Sequence, residues 1–189
     1  IFANHADQKG IVHITYDMQK SFEKDFPGKR FLFHTKANKA RVYKMFRASK
    51  EPLILFASGM HEGIDLPYEA ARFQIIPVIS KPYLGDSYNQ EILLKDPELY
   101  LEMTIKKVVQ QQGRVCRAPD DWGVTYILDR SFTRLYIGEG ETHLPDYFTK
   151  ALHISADRNN VLLPTKPEDV NEKENAEQGK SLQDDISLR

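Results

Sequence analysis

Short apolar runs recur along the first 130 residues and predict five β-strands. They are rich in β-branched and aromatic residues, and polar or turn-forming residues separate them. The runs are residues 11–16 (IVHITY), 30–34 (RFLFH), 53–57 (LILFA), 73–76 (FQII) and 124–128 (VTYIL). The third run is almost purely apolar, which is typical of a strand buried on both faces of a sheet. Pro77 lacks an amide proton, so the fourth strand is predicted to end there or to lie at a sheet edge.

Amphipathic stretches between these runs predict helices. Residues 18–26 form one stretch, Asn38 is placed to cap a second, and residues 97–113 form the longest. The alternation of strand and helix predicts an α/β fold with an open, mostly parallel sheet and helices on both faces. In such sheets ligands bind beyond the carboxyl ends of the strands.

Composition excludes several classes of protein. With 28% charged residues and a formal net charge of −1, the chain is not globally basic, so a nucleic-acid contact would have to be a local patch. The longest apolar runs, of about seven residues, are far shorter than the ~20 needed to span a bilayer, so we predict no membrane association. The single cysteine, Cys116, cannot form an internal disulfide, which favours a reducing, intracellular setting. No cluster of Cys and His has the spacing of a zinc site, so no metal site is predicted.

The C-terminal part of the chain differs in composition. From Lys166 to Arg189 there are seven acidic and four basic residues and few large apolar ones. We therefore predict one domain over residues 1–152 and a polar extension over residues 153–189, flexible from about residue 166. Because the chain begins at Ile1 rather than at methionine, we expect it to be a segment of a longer protein.

Two arginines follow the longest predicted helix. The sequence from Gln110 to Arg117 reads Q-x-x-G-R-x-x-R. A spacing of three would place the guanidinium groups of Arg114 and Arg117 on one side of a helical turn. Two such groups suit a multiply charged anion, because each binds phosphate oxygens through two hydrogen bonds. The alternative is a solvated helix end whose arginines interact with the helix dipole.

A loop with two glycines follows the third predicted strand, in residues 58–67 (SGMHEGIDLP). Glycine allows the backbone to approach a ligand closely. Glu62 and Asp65 offer acceptors for a ribose hydroxyl or for a water molecule on magnesium, and Ser58 suits a nucleic-acid phosphate. The alternative is an ordinary turn from strand to helix with a capping aspartate.

Together and in this order, the two segments resemble motifs V and VI of superfamily 2 helicases, and specifically of the XPD/DinG-like branch. The resemblance includes E-G-x-D-L at residues 62–66, Q-x-x-G-R-x-x-R, and Asp129 with Arg130. Residues 10–16 resemble the motif IV region, and the whole resemblance covers about residues 8–150. It implies a RecA-like helicase C-terminal domain.

The resemblance also implies a function, the second motor domain of an ATP-dependent DNA helicase that moves along single-stranded DNA. A first RecA-like domain of the same polypeptide would hold the phosphate-binding loop, so ATP and Mg²⁺ would be shared and this domain alone would be inactive. The chain has no G-x-x-x-x-G-K-[ST] and too few cysteines for an iron–sulfur cluster. The parent would be cytoplasmic in a prokaryote and nuclear in a eukaryote. The alternative is a non-catalytic DNA-binding or protein-docking module derived from a helicase.

The resemblance assigns roles to three groups of residues. Those expected to act on the γ-phosphate are Gln110, Arg114 and Arg117. Those expected on the nucleotide side of the cleft are Glu62, Gly63 and Asp65. Those expected to contact single-stranded DNA are Thr15, Tyr16, Thr35, Ser58, Gly59 and His61.

Overall fold

A parallel β-sheet runs through the centre of the computed structural model, which describes residues 1–60, 64–116, 118–137 and 143–153. All of these belong to the compact unit Ile1–Ala156. Within them the sheet has five strands in the order β2-β3-β1-β4-β5. The strands are β1 (Gly10–Ile14), β2 (Phe31–Leu32), β3 (Ile54–Ser58), β4 (Phe73–Ile76) and β5 (Val124–Ile127). All four pairings are parallel, as predicted.

The two central strands carry the most apolar sequence. Every residue of β1 and of β3 is buried, which confirms that the third apolar run lies covered on both faces. At the sheet edge β2 keeps only two of the five residues predicted for it. β4 does end before Pro77, but it is an interior strand, paired with β1 on one side and β5 on the other.

Six helices occur in the described residues: α1 (Tyr16–Asp25), α2 (Lys39–Ala48), α3 (Ser87–Lys95), α4 (Pro97–Gln112), α5 (Arg130–Ile137) and α6 (Asp146–Lys150). Apolar residues of α1 pack against Val12 and Phe56 on one face of the sheet. On the other face, α2 packs against Ile11 and Leu55, and α4 packs against Ile76. The predicted α/β fold with helices on both faces is confirmed. The shorter helices α3, α5 and α6 were not anticipated.

A buried lysine closes the C-terminal end of α2. The Nζ of Lys9 donates hydrogen bonds to the carbonyl oxygens of Phe46 (2.6 Å) and Ser49 (2.8 Å), which α2 leaves without amide partners. Burial, together with the nearby charge of Arg47, lowers the pKa of Lys9. Because Lys9 immediately precedes β1, this contact fixes the C-terminal end of α2 at the amino edge of the sheet.

No helix in the described part of the chain is both long and apolar enough to span a lipid bilayer. The predicted extension lies outside the described residues from position 154 onward, so its boundary at residue 152 stays a prediction.

We predict that Gly10→Ala destabilises the fold. A Cβ atom at Gly10 would overlap the ring of Phe73, a fully buried side chain that stacks on His5 with 4.2 Å between ring centroids. Overpacking of this kind costs about 1–3 kcal/mol in the free energy of unfolding, measurable by urea denaturation. Gly113→Ala is the matched control, since its Cβ would be 3.7 Å from the nearest atom. Equal stability of the two variants would show that Phe73 is not closely packed.

Candidate functional site

The loop after β3 and the segment after α4 are joined by backbone contacts. The amide of Leu66 donates to the carbonyl of Arg114 (3.2 Å), and Nη1 of Arg114 donates to the carbonyl of Ile64 (3.3 Å). Ile64, Leu66 and Val115 are buried in the same apolar cluster. The fold therefore brings together the two segments that the sequence marks as chemically important, although about 50 residues separate them along the chain.

The helical placement predicted for Arg114 is wrong. α4 ends at Gln112, and Gly113 makes the last helical contact through its amide to the carbonyl of Val109 (3.2 Å). Because Val115 is buried in the core, with 1% of its surface exposed, the chain turns away from the helix axis after Gly113. A spacing of three residues therefore does not place Arg114 on a helical turn. Arg117 lies outside the described residues.

The side chain of Arg114 retains hydrogen-bonding capacity. Its Nε is buried and has no hydrogen-bond partner among the described residues. An unpaired buried donor is costly, and an anionic oxygen is the partner that best satisfies a guanidinium group. Gln110, one turn earlier on α4, is exposed. Gln110 and Arg114 thus lie close together along the chain at the end of α4.

A buried polar side chain links this helix end to the sheet. Gln74 of β4 is 0% exposed, and its Nε2 donates to the carbonyl of Gln112 (2.6 Å) and to Oγ1 of Thr125 (2.8 Å). Its Oε1 lies 3.0 Å from Nε2 of His13. Gln74 was not singled out from the sequence. The available signal was an amide in the middle of the apolar run FQII, since a buried amide needs partners.

The residues predicted to lie on the nucleotide side of a cleft are only partly among the described residues. Tyr43 holds the backbone of Asp65, because its hydroxyl donates to the carbonyl (2.9 Å) and accepts from the amide (3.0 Å). The residue itself is exposed, so its carboxylate lies at the surface beside the Arg114 segment. His61, Glu62 and Gly63 lie outside the described residues.

The end of β3 is held by a second buried polar group. Ser58 is 0% exposed, its amide donates to Nε2 of His34 (3.0 Å), and its hydroxyl donates to Oε1 of Gln19 (2.7 Å). Nε2 of Gln19 donates in turn to the carbonyl of His34 (2.7 Å). The prediction that Ser58 contacts DNA is therefore wrong, because its amide and its hydroxyl both donate hydrogen bonds inside the protein. Ser58 joins the carboxyl ends of β2 and β3 to α1.

An exposed aromatic and basic surface lies over this link, and we call it the Tyr16 surface. The ring of Tyr16 is 6.1 Å from that of His34, and a Cβ at Gly59 would lie 3.3 Å from it. Gly59 has a φ of +60°, a conformation that favours glycine. Nζ of Lys36 lies 5.3 Å from the Tyr16 ring centroid, and Nζ of Lys39 donates to the carbonyl of Gly59 (2.7 Å). The surface therefore combines an aromatic ring, two lysines and a glycine turn.

Two threonines predicted to contact DNA flank the Tyr16 surface. Thr15 is exposed at the end of β1, where its Oγ1 accepts from the amide of Met18 and caps α1. Thr35 is exposed after β2, and its amide donates to Oδ1 of Asn38 (2.7 Å). The side chain of Asn38 therefore binds Thr35 and does not cap α2, in contrast to the expectation from the sequence. Thr15, Tyr16, Thr35 and Gly59 follow the carboxyl ends of adjacent strands, and β1 ends two residues earlier than the predicted run.

The aspartates near β5 have structural contacts. Asp121 is buried, and it pairs with Nη1 of Arg72 (3.1 Å) and accepts from the amide of Tyr68 (3.0 Å). Asp129 accepts from the amides of Ile79 (3.0 Å) and Ser131 (2.8 Å). Although burial by itself would raise the pKa of Asp129, these hydrogen bonds and the charge of Lys81 lower it overall. Both carboxylates hold the backbone around β4 and β5 in place.

Among the described residues, the side chains form no metal site and the cysteine thiol is not activated. The described residues contain no group of three or more His, Cys, Asp or Glu side chains arranged to hold a metal ion. Cys116 donates from Sγ to the carbonyl of Asp121 (3.3 Å), and burial raises the pKa of its thiol, which disfavours the reactive thiolate.

Residues 10–148 match the family described as helicase C-terminal domain, and the chain belongs to this family. Among solved structures it is similar to the C-terminal domain of the DEAD-box protein Dbp5, with 11% identity and a TM-score of 0.48 over 77% of this chain and 72% of that one. It is also similar to the C-terminal part of the Fun30 ATPase domain, with 13% identity and a TM-score of 0.41 over 86% of this chain and 45% of that one. Comparison with curated protein sequences gives no significant match.

We predict that Ser58→Ala destabilises the protein by about 1–3 kcal/mol, because it leaves the buried Oε1 of Gln19 without its donor. Ser21→Ala, at an exposed position of the same helix as Gln19, should change the free energy of unfolding by less than about 0.5 kcal/mol. Urea denaturation of both variants is the measurement. If Ser58→Ala were as stable as the control, the hydrogen bond between Ser58 and Gln19 would not hold the strand ends.

Proposed function

We propose that this chain is the second RecA-like motor domain of an ATP-dependent DNA helicase of the XPD/DinG-like branch of superfamily 2. With a first RecA-like domain of the same polypeptide, it would couple ATP hydrolysis to movement along single-stranded DNA and to unwinding. Membership of the helicase C-terminal domain family supports the motor assignment. The order of E-G-x-D-L and Q-x-x-G-R-x-x-R supports the branch. An intracellular location follows from this function.

One structural observation carries the proposal. The chain that leaves β3 contacts the Tyr16 surface at Gly59 and the Arg114 segment at Ile64 and Leu66. A motor needs its nucleotide site and its nucleic-acid site to be mechanically linked, because the state of one must alter the affinity of the other. In this protein the short loop that follows the fully buried strand β3 contacts both groups of residues.

The donors around Arg114 fit a nucleotide phosphate. Nη1 of Arg114 donates to the carbonyl of Ile64, and a planar guanidinium can bind phosphate oxygens in a fixed geometry through its remaining donors. ATP would supply the γ-phosphate, whose charge increases during transfer, and Mg²⁺ would be held mainly by the first domain. Arg114, with Gln110 and Arg117, would stabilise that charge. Glu62, Gly63 and Asp65 would line the nucleotide side of the cleft.

The Tyr16 surface fits a single strand of DNA. Aromatic rings accept stacked bases of any sequence, and lysines attract phosphates. Thr15, Thr35 and the backbone at Gly59 would contact the sugar–phosphate backbone, and His61 keeps the role that the sequence resemblance gives it. Ser58 would act indirectly, by fixing the ends of β2 and β3 beneath the strand.

We predict that Arg114→Ala, in a protein that contains both motor domains, lowers kcat for DNA-stimulated ATP hydrolysis by about 10³–10⁵, the range typical of an arginine that stabilises a transferring phosphoryl group. Arg114→Lys should recover only part of the rate, because it keeps the charge but loses the planar geometry. Affinity for oligonucleotide should change little. Arg134→Ala, at an exposed position on α5, is the control and should retain the normal rate.

A purely structural arginine would give a different pattern. Loss of the hydrogen bond to Ile64 alone would lower the free energy of unfolding by about 1 kcal/mol and leave kcat near normal. Melting temperatures of the variants separate the two roles. Near-normal hydrolysis by Arg114→Ala would contradict the catalytic assignment and favour a non-catalytic DNA-binding or docking module.

A further inference from the structure

The positive charge of this chain is concentrated in one segment. From Lys29 to Lys50 there are eight Lys and Arg residues and no Asp or Glu, whereas the whole chain has a formal net charge of −1. The segment comprises β2, the turn after it and all of α2. A uniform patch of one sign in an otherwise balanced protein is typical of a surface that binds the opposite charge.

The structure places these charges on the solvent side of α2. Val42 and Phe46 are buried against the sheet, while Arg41, Lys44 and Arg47 are exposed at intervals of three residues. Residues three apart lie on one side of a helix, and we call these three the α2 basic face. Among the described residues none of the three makes an ion pair, in contrast to α3, where a lysine pairs with a glutamate one turn away.

The N-terminal end of α2 borders the Tyr16 surface. Lys39 begins α2 and bonds to the carbonyl of Gly59, beyond the carboxyl end of β3. Lys9, at the amino end of β1, bonds to the carbonyl of Ser49 at the other end of α2. The helix therefore runs across the sheet from its carboxyl edge to its amino edge, a length of about 15 Å.

We infer that the α2 basic face binds the phosphate backbone of a nucleic-acid strand that continues beyond the Tyr16 surface. The inference rests on the proposed function, because it extends the same strand along the outer side of α2. Three exposed cations that form no ion pair among the described residues match a chain of phosphates, whose oxygens lysine and arginine bind whatever the base sequence. Contacts of this kind make binding sensitive to salt and indifferent to sequence.

The test measures binding of a labelled oligothymidylate to this chain by fluorescence anisotropy over a range of salt concentrations. Arg41→Gln with Lys44→Gln removes two charges from the α2 basic face. Each phosphate of a single strand that the protein no longer neutralises should make the slope of log K against log salt shallower by about 0.7, so the double variant should be shallower by about 1.4. The control, Lys24→Gln with Lys106→Gln, removes the same charge from exposed positions on α1 and α4 and should keep the wild-type slope.

Oligonucleotide length gives a second readout. Wild-type affinity should continue to rise with length after the affinity of the α2 double variant has reached its plateau, because only the wild type can hold the added nucleotides. Equal slopes and equal plateaus for the two double variants would overturn the inference. So would polyglutamate that displaces the oligonucleotide at equal charge concentration, since the face would then suit an acidic polypeptide.

The outcomes separate this inference from the proposed function. If Tyr16→Ala weakens binding while the α2 double variant behaves like its control, the inference fails. The proposed contact of single-stranded DNA with the Tyr16 surface would then still stand. If the wild-type chain binds no oligonucleotide at low salt, the nucleic-acid part of the proposed function fails as well. Surface substitutions of this kind should leave the melting temperature almost unchanged, so matching melting temperatures confirm that all variants are folded.

Discussion

The arrangement of the whole site depends on how the polar end of β3 is accommodated inside the apolar sheet. Ser58 is fully buried, and its amide and hydroxyl would be costly to bury without partners. His34 and Gln19 supply those partners, from the end of β2 and from α1. Three elements must therefore meet at one point, and the backbone that leaves this point turns at Gly59 with a positive φ. The positions of the Tyr16 surface and of the loop that follows it are set by this small polar cluster.

The same loop then returns across the sheet and meets the segment after α4. The contacts of Ile64 and Leu66 with Arg114 are few, but the apolar side chains beside them are buried and leave little room for independent movement. Gln74 anchors the other side of that segment through the carbonyl of Gln112. A shift of Arg114 would therefore be transmitted to β3 and to the end of α4. A connection of this kind would allow the nucleotide state to change the affinity for a nucleic-acid strand, as the proposed function requires.

The sequence was sufficient where local pattern determines structure. The five strands, the parallel sheet and the longest helix follow from the apolar runs and from the amphipathic stretch of residues 97–113. The sequence did not predict those features that depend on contacts between residues distant along the chain. The helix α3 was missed because Leu94 is 82% exposed, so its apolar residues do not mark a buried stripe. The helical placement of Arg114 failed because burial of Val115 in a distant cluster outweighs local spacing. Ser58 was expected to face DNA, yet its partners lie 24 and 39 residues away in sequence and become neighbours only after folding.

The central claim is that the loop after β3 transmits nucleic-acid binding to the Arg114 segment. Hydrogen exchange of the Leu66 amide tests it most directly, because this amide bonds to the carbonyl of Arg114 and does not belong to the Tyr16 surface. The account predicts that saturating oligothymidylate slows this exchange in the wild-type chain and slows it less in Ser58→Ala. Protection confined to residues around Tyr16 and Thr35, with the exchange of Leu66 unchanged, would contradict it.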